Sequence, residues 1–337
     1  MNPDIEQISQ KLIAYLRGQL HAPTIAYKAP LTQLQGGFET HVYRFRLKGA
    51  VQRELLEPLI LRLYPEYYGS GNAVWESTVQ NVLAAEGYPV AKARLVCTDT
   101  SILGGAFFIM DFLPGKPLVT EPTETIPELL GKAHAALHSI DPKPLLKSLA
   151  EQSVEEHTCR LDYRLARLQE KTSTFPWLRE AVDWLVENRP PEPEQLAICH
   201  GDFHPLNILV QEGKVTGVLD WPGFLVADPA LDVGNTLVLI TISARHLGPA
   251  LGLDFASLDI DLFEQWYLDA YGANNTRCGQ GEKSLDKSHL AYYRVRRCVH
   301  ACVEGAAGQS VWRHPPILSD VLGYIDSVTG IKVIVPG

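Results

Sequence analysis

The chain has 337 residues, 46% hydrophobic and 20% charged, with a formal net charge of −9. That composition supports a large core and excludes disorder, and no apolar run approaches the ~18 residues of a membrane span. The opening MNPDIEQISQKLIAYL lacks the basic and apolar blocks of a signal peptide, and six thinly spread cysteines read as reduced thiols, so a cytoplasmic location is expected. Residues 111–276 carry a net −13, against +1 before them and +3 after. A middle that acidic repels phosphate backbones and sets nucleic-acid partners aside; it suits a cationic ligand, with solvated helix faces as the alternative.

At about 150 residues per domain, the length predicts two domains or lobes. In His41–Leu47 the residues Tyr43, Phe45 and Leu47 alternate with Val42, Arg44 and Arg46, the period of a strand. Leu59–Tyr64 is a second strand, with Leu59, Leu61 and Leu63 on one face and Ile60, Arg62 and Tyr64 on the other. Asn72–Glu86 reads as a helix capped by Asn72 and stopped by Gly87 and Pro89. Ala106–Phe112 is an apolar strand, Pro127–Ile140 a helix ended by Asp141-Pro142, and further helices are expected near 160–170, 176–188, 230–246, 260–271 and 286–306. The pattern divides the chain into a strand-rich lobe, 1–112, and a mainly helical lobe, 113–337, an α+β organisation.

One β island, Ala197–Trp221, interrupts the helices and carries the chemistry. It contains HGDFHPLN, His200–Asn207, followed by two β runs, Ile208–Gln211 and Val215–Leu219, around Glu212-Gly213-Lys214. A three-residue hairpin loop places Asn207 opposite Leu219, beside Asp220, and brings both near the loop that holds Asp202. Three oxygen-bearing side chains at one spot suit Mg2+, which takes carboxylates together with phosphate and water. Asp and Asn are also common turn residues, which is the structural alternative for each taken singly.

HGDFHPLNILV…GVLDW resembles the catalytic segment of the aminoglycoside phosphotransferase and choline kinase-like enzymes, relatives of the protein kinases. The resemblance implies a bilobal protein-kinase-like fold with a small antiparallel-sheet lobe and a larger helical lobe. It implies an ATP-dependent kinase, with GTP as the other nucleotide, that transfers the γ-phosphate directly to a small-molecule hydroxyl with Mg2+. Asp202 then orients and deprotonates the acceptor, Asn207 and Asp220 hold metal, and His200 and Asp232 support the loop. Gly36 and Gly37 fall at the family's phosphate-covering turn, Arg62 at its strand lysine, and Glu76 at the helix glutamate that pairs with it. Met110, Asp111 and Phe112 fall at the hinge that meets adenine. Arg62 departs from the family lysine; its alternatives are a solvent-facing strand residue or a nucleotide-binding pseudokinase that acts as scaffold or regulator.

Eleven residues separate Asp220 from Asp232, short for laying out a peptide substrate, which points to a small acceptor: aminoglycoside-, choline-, homoserine- or sugar-like. An amine-bearing acceptor would suit the acidic middle, with Asp228, Glu264, Asp269 and Glu304 as contacts. Oligomeric state is not legible. His134 and His138 share a helix face yet lack an evident third metal ligand, so packing is expected. Cys298 and Cys302 share a helix face and read as core while His300 points away, and Arg294, Arg296 and Arg297 read as a basic patch facing water, with an anionic substrate as the alternative.

Overall fold

The computed structural model describes residues 4–34, 40–244, 246, 259–275 and 285–336. They form two compact units: residues 1–115 with 147–154 and 216–222, and residues 116–146 with 155–215 and 223–337. The two inserted segments join the first unit, where a single division after residue 112 assigns them to the second.

In the smaller unit, helix α1 (Ile5–Gln19) precedes β1 (Ala26–Gln33), β2 (His41–Lys48), β3 (Pro58–Leu63), α2 (Gly71–Ala85), β4 (Ala93–Cys97) and β5 (Phe107–Asp111). The strands form one sheet in the order β1-β2-β3-β5-β4, with antiparallel pairing throughout. The alternation in β2 and β3 sorts side chains between two helices. Leu59, Leu61 and Leu63 join Tyr43, Phe45 and Leu47 in a core with Ile8, Leu12 and Leu16 of α1. Ile60, Tyr64 and Phe108 pack with Ala73 of α2 on the opposite face, which is the face that receives Arg62. Helix α2 begins at Gly71 with Ser70 at its N-cap, two residues before the expected cap at Asn72. Three elements were not anticipated. Helix α1 shows an i, i+4 apolar stripe and an Asp4 cap, a signal present in the sequence. Strand β1 buries only Leu31 and contains Pro30, so no alternation marked it, and β4 is short.

The larger unit contains β6 (Lys116–Pro117), α3 (Ile126–His138), α4 (Lys143–Glu151), α5 (Leu161–Lys171), α6 (Arg179–Glu187), β7 (Ala197–Cys199), β8 (Ile208–Gln211), β9 (Lys214–Val218) and β10 (Leu225–Ala227). Helices α7 (Pro229–Val238), α8 (Ile260–Asn274), α9 (Lys287–Ala306) and α10 (Pro315–Thr329) follow; helices α4 and α10 were not anticipated. Helix α4 begins within this unit, while residues 147–154 group with the smaller one, as does the end of β9. Strand β7 pairs with β10 and β6 with β8. The hairpin turn holds two residues, Glu212 (φ 52°) and Gly213 (φ 71°), instead of the expected three, and so shifts the pairing by one residue. Two positive φ values match the right-handed twist of the strands, which a Gly at the second position makes easy.

Helices α3 and α8 pack closely because Gly131 has no side chain: a Cβ there would lie 2.6 Å from Tyr267 O and 2.9 Å from Ala270 Cβ. Both of these neighbouring groups are fixed within α8. Gly131→Ala is therefore expected to cost about 1–3 kcal/mol of stability by overpacking. A urea midpoint unchanged from wild type would remove this account of the contact.

Candidate active site

The HGDFHPLN segment, His200–Asn207, follows directly from β7. Gly201 has φ 87°, and a Cβ there would lie 2.3 Å from Gly223 O, so glycine alone fits. This gives a backbone reason for glycine where many protein kinases have arginine. The loop's first two N–H groups end on one carboxylate. Asp232 Oδ2 accepts from His200 N at 2.5 Å and Oδ1 from Gly201 N at 2.8 Å. Oδ2 also accepts from His134 Nε2 (3.0 Å) and His138 Nε2 (3.3 Å). Because an ionised carboxylate only accepts, each imidazole carries its proton on Nε2, and Nδ1 accepts from a tyrosine hydroxyl. The partners are Tyr267 at 2.7 Å for His134 and Tyr271 at 2.8 Å for His138. Asp232 and His134 are fully buried. Burial raises the Asp232 pKa, but the two histidines outweigh it and hold the carboxyl well below its usual range. Burial, reinforced by His138, pulls His134 down to about 4.

Asp232 is the third group that His134 and His138 lacked in the sequence, and the three donor atoms lie within 4.8 Å of one another. In this hydrogen-bonded arrangement every ring nitrogen is engaged, so the cluster is complete as a brace for the loop.

Asp202 is half-exposed. Burial of its surroundings raises its pKa, but the His204 hydrogen bond and charge, with Arg297 and His200, hold it well below the usual carboxylate range. Its side chain lies 3.3 Å from His204 Nε2. Asn207 Nδ2 donates to Asp202 O (3.0 Å) and lies 3.3 Å from Asp202 Oδ2, which fixes the amide and turns its nitrogen toward the loop. His204 was not singled out in the sequence, although it stands in the same eight-residue motif.

Within the smaller unit, Arg62 is buried and lies between two acids. Its Nη2 donates to Asp220 Oδ1 at 2.6 Å, and its Nε is 3.1 Å from Glu76 Oε2, an ion contact without the alignment of a hydrogen bond. Burial works to lower the Arg62 pKa, yet the charges of Glu76 and Asp220 prevail and hold it above its ordinary value. Glu76 is shifted upward by burial, which the Arg62 charge opposes. It accepts further bonds from the Tyr64 hydroxyl, Gln80 Nε2 (3.2 Å) and Trp221 N (3.4 Å). Asp220 has φ 70°, a conformation that costs a non-glycine residue about 1 kcal/mol or more and occurs most often at working sites.

At the end of β5, Asp111 N donates to Lys92 O and Phe112 N to Pro58 O, both at 3.1 Å, and the Asp111 carboxylate is forked by Arg94 at 2.7 Å. Met110 is buried. Gly36 and Gly37 lie outside the described residues. Three of the four acids considered for substrate already have a histidine or arginine partner. Asp228 caps α7 and bonds His289 Nδ1 at 2.8 Å, Glu264 is forked by Arg294, and Glu304 holds Arg297 and His300. Asp269 is exposed and lines a shallow cavity of about 290 Å³ with Trp266, Glu124 and Glu128. The basic patch does not simply face water, since Arg294 and Arg297 are paired and Arg297 is buried. Cys298 and Cys302 are buried free thiols. Among the described residues no helix is long and apolar enough to cross a membrane.

A small antiparallel sheet with two flanking helices, and a helical unit whose loop is braced by a buried aspartate, define a kinase-like fold of the aminoglycoside phosphotransferase type. Residues 30–271 match the phosphotransferase enzyme family, and the chain belongs to it. It is 27% identical over 231 residues to an aminoglycoside 3'-phosphotransferase from Streptomyces fradiae, covering 63% of this chain and 74% of that protein. It is also 27% identical over 220 residues to acyl-CoA dehydrogenase family member 11 from Homo sapiens, covering 61% of this chain but 26% of that protein. The chain thus spans about a quarter of that relative. Among solved structures, macrolide 2'-phosphotransferase MphH from Brachybacterium faecium has a TM-score of 0.55 at 18% identity, over 91% of this chain and 97% of its own. Aminoglycoside phosphotransferase APH(4)-Ia, in a ternary complex with AMP-PNP and hygromycin B, has a TM-score of 0.57 at 16% identity, over 95% and 99%.

The buried His134 ties stability to pH. Its folded pKa of about 4 lies below the ordinary 6.5, so the fold favours the neutral ring. The resulting stability is present above pH 6.5 and is lost as pH falls toward 4. Between pH 7 and pH 5 the loss is about 2 kcal/mol for this group. Chemical denaturation of His134→Gln at the two pH values should show a correspondingly smaller drop; an equal drop would exclude His134 as its source.

Proposed function

We propose that the protein is a kinase that transfers the γ-phosphate of ATP, or of GTP, to a hydroxyl on a small molecule. The observation that carries this reading is the engaged geometry of the motif residues: a half-exposed Asp202 with Asn207 locked onto its backbone, and Arg62 joined to both Glu76 and Asp220. Asp202 orients the acceptor hydroxyl and takes its proton as the phosphorus–oxygen bond forms. A carboxylate held this acidic favours the orienting role until the hydroxyl has acidified in the transition state.

The donor chemistry fits Mg2+. Taken one unit at a time, Asn207 uses its amide nitrogen on the loop and keeps Oδ1 as a cation donor, while in the smaller unit Asp220 uses Oδ1 on Arg62 and keeps Oδ2. Such hard oxygen donors match a metal that also binds phosphate and water. When bound, Mg2+ would neutralise charge on the nucleotide phosphates. Arg62 fixes the Asp220 carboxylate and adds positive charge beside it. Gly36 and Gly37 are proposed to cover the phosphates, and the segment Met110–Phe112 to meet adenine. Since two N–H groups of that segment are engaged, its remaining backbone groups would carry the recognition.

The acceptor class rests on relatives bearing aminoglycoside and macrolide phosphotransferase names and on a neighbour that holds hygromycin B. For an amine-bearing acceptor, Asp269 beside Trp266 is the best placed of the acids considered, because the other three already bond a histidine or an arginine. A cation against an indole face and a carboxylate gains from both.

Asp202→Ala should lose acceptor-dependent ADP release by at least about 10²-fold, the scale of a general-base contribution, while nucleotide binding persists. The panel for wild type comprises amino alcohols, aminoglycosides, macrolides and sugars. An undiminished turnover number in Asp202→Ala would remove this residue from the mechanism. Nucleotide binding in wild type with no turnover on any acceptor would favour the scaffold reading.

A further inference from the structure

In the larger unit, the proline pair after α6 and the first turn of α9 border a cavity that the phosphotransferase reading leaves unused. Its volume is about 340 Å³, at the lower end of the range for small-molecule sites. Trp184, Pro190, Pro191, Tyr292 and Val328 give it flat, apolar walls. The Trp184 and Tyr292 rings stack, with centroids 5.9 Å apart and 27° between their planes. Tyr292 is buried and its hydroxyl donates to Leu185 O at 2.7 Å, which holds this wall in place. Two consecutive prolines have no N–H to offer. Among the described residues, no lysine, arginine, aspartate or glutamate lines the cavity.

One polar group in this lining is left open. His289 Nδ1 lies 2.8 Å from Oδ2 of the buried Asp228, whose Oδ1 accepts from Ala230 N at 2.8 Å. The carboxylate accepts at both oxygens, so the neutral imidazole carries its proton on Nδ1 and a lone pair on Nε2. That Nε2 makes no hydrogen bond or ion pair with any described residue. The other polar side chains of the lining turn protons away from the cavity. Ser288 Oγ donates to Asp286 Oδ1 at 2.5 Å, and Asn188 Nδ2 donates to Trp184 O at 2.9 Å. A fixed acceptor thus stands among surfaces shaped for a ring, with no donor opposite it.

We propose that this cavity binds a neutral aromatic ring bearing a hydroxyl, a phenol-type ligand, whose O–H donates to His289 Nε2. The ring gains offset or edge contacts with the Trp184–Tyr292 pair that an aliphatic ring cannot match. An anion would meet the Nε2 lone pair with no cation beside it. A cation would find the one nearby carboxylate, Asp228, engaged at both oxygens. The Asp228 bond also fixes the tautomer, so Nε2 is ready to accept without rearrangement. The site uses none of the residues assigned to phosphoryl transfer and stands or falls separately from that reading.

The test is saturation-transfer NMR on the full chain, with phenol, anisole and cyclohexanol titrated separately. At about pH 8 an ordinary imidazole and a phenol are both neutral. Phenol should bind at least about fivefold more tightly than anisole, which has the ring without the donor. It should exceed by a similar factor cyclohexanol, which has the donor without the aromatic ring. His289→Phe should bring phenol to the affinity of anisole and leave anisole within about twofold. Val328→Arg, at a wall position that is 37% exposed, should obstruct the cavity and weaken phenol at least about tenfold. Equal affinities for phenol and anisole in wild type, or phenol binding that survives His289→Phe, overturns the proposal. Cyclohexanol binding as tight as phenol also overturns it, because the ring contacts would then carry nothing. So does the lack of saturable phenol binding, or phenol binding unchanged in Val328→Arg. Should His289→Phe fail to fold, the wild-type ratios and Val328→Arg decide by the same outcomes.

Discussion

A single buried carboxylate organises the larger unit. Asp232 has no solvent exposure, and burying an unpaired charge of that kind would be prohibitive. It is tolerated because two backbone N–H groups and two imidazole N–H groups converge on it. The same bonds fix the start of the His200–Asn207 loop, so the cost of burial and the geometry of the loop are one problem with one solution. Behind the histidines, Tyr267 and Tyr271 carry the network into α8, and Gly131 permits the close helix approach that this requires.

The smaller unit solves a related problem with a cation. Arg62 lies on the α2 face of its strand, where a lone guanidinium would be poorly solvated. Glu76 on one side and Asp220 on the other remove that penalty. A lysine carries a compact point charge, whereas the guanidinium fork presents separate nitrogens to separate carboxylates. Arginine is thereby suited to hold Glu76 through Nε and Asp220 through Nη2 at once. Tyr64, Gln80 and Trp221 saturate the remaining oxygen sites of Glu76 and make its burial sustainable.

Much of the local structure was legible. Alternation over residues 41–47 and 59–64 marked two strands and sorted Arg62 to the face opposite the Leu59, Leu61 and Leu63 row, which is where it lies. The hairpin after Asn207 was visible from its β runs and its Glu-Gly pair, although its turn is one residue shorter than expected. Strand β1 escaped because an edge strand with one buried side chain leaves no period to read. The acids chosen for an amine-bearing ligand expose the harder limit. Composition made the middle segment acidic, but Asp228, Glu264 and Glu304 each meet a histidine or arginine supplied by α9.

Sequence by itself therefore determined the strand faces, the main helices and the motif that places Asp202, Asn207 and Asp220 in a phosphotransferase family. Tertiary structure alone decided which charges are paired, which glycine is obligatory and what braces the loop. The reason is physical: periodicity records which side of an element is buried, a property of neighbouring residues. Pairing is settled by contacts such as His134–Asp232 and His134–Tyr267, 98 and 133 residues apart in the chain. No local pattern encodes them, because each partner satisfies its own helix equally well until the helices pack.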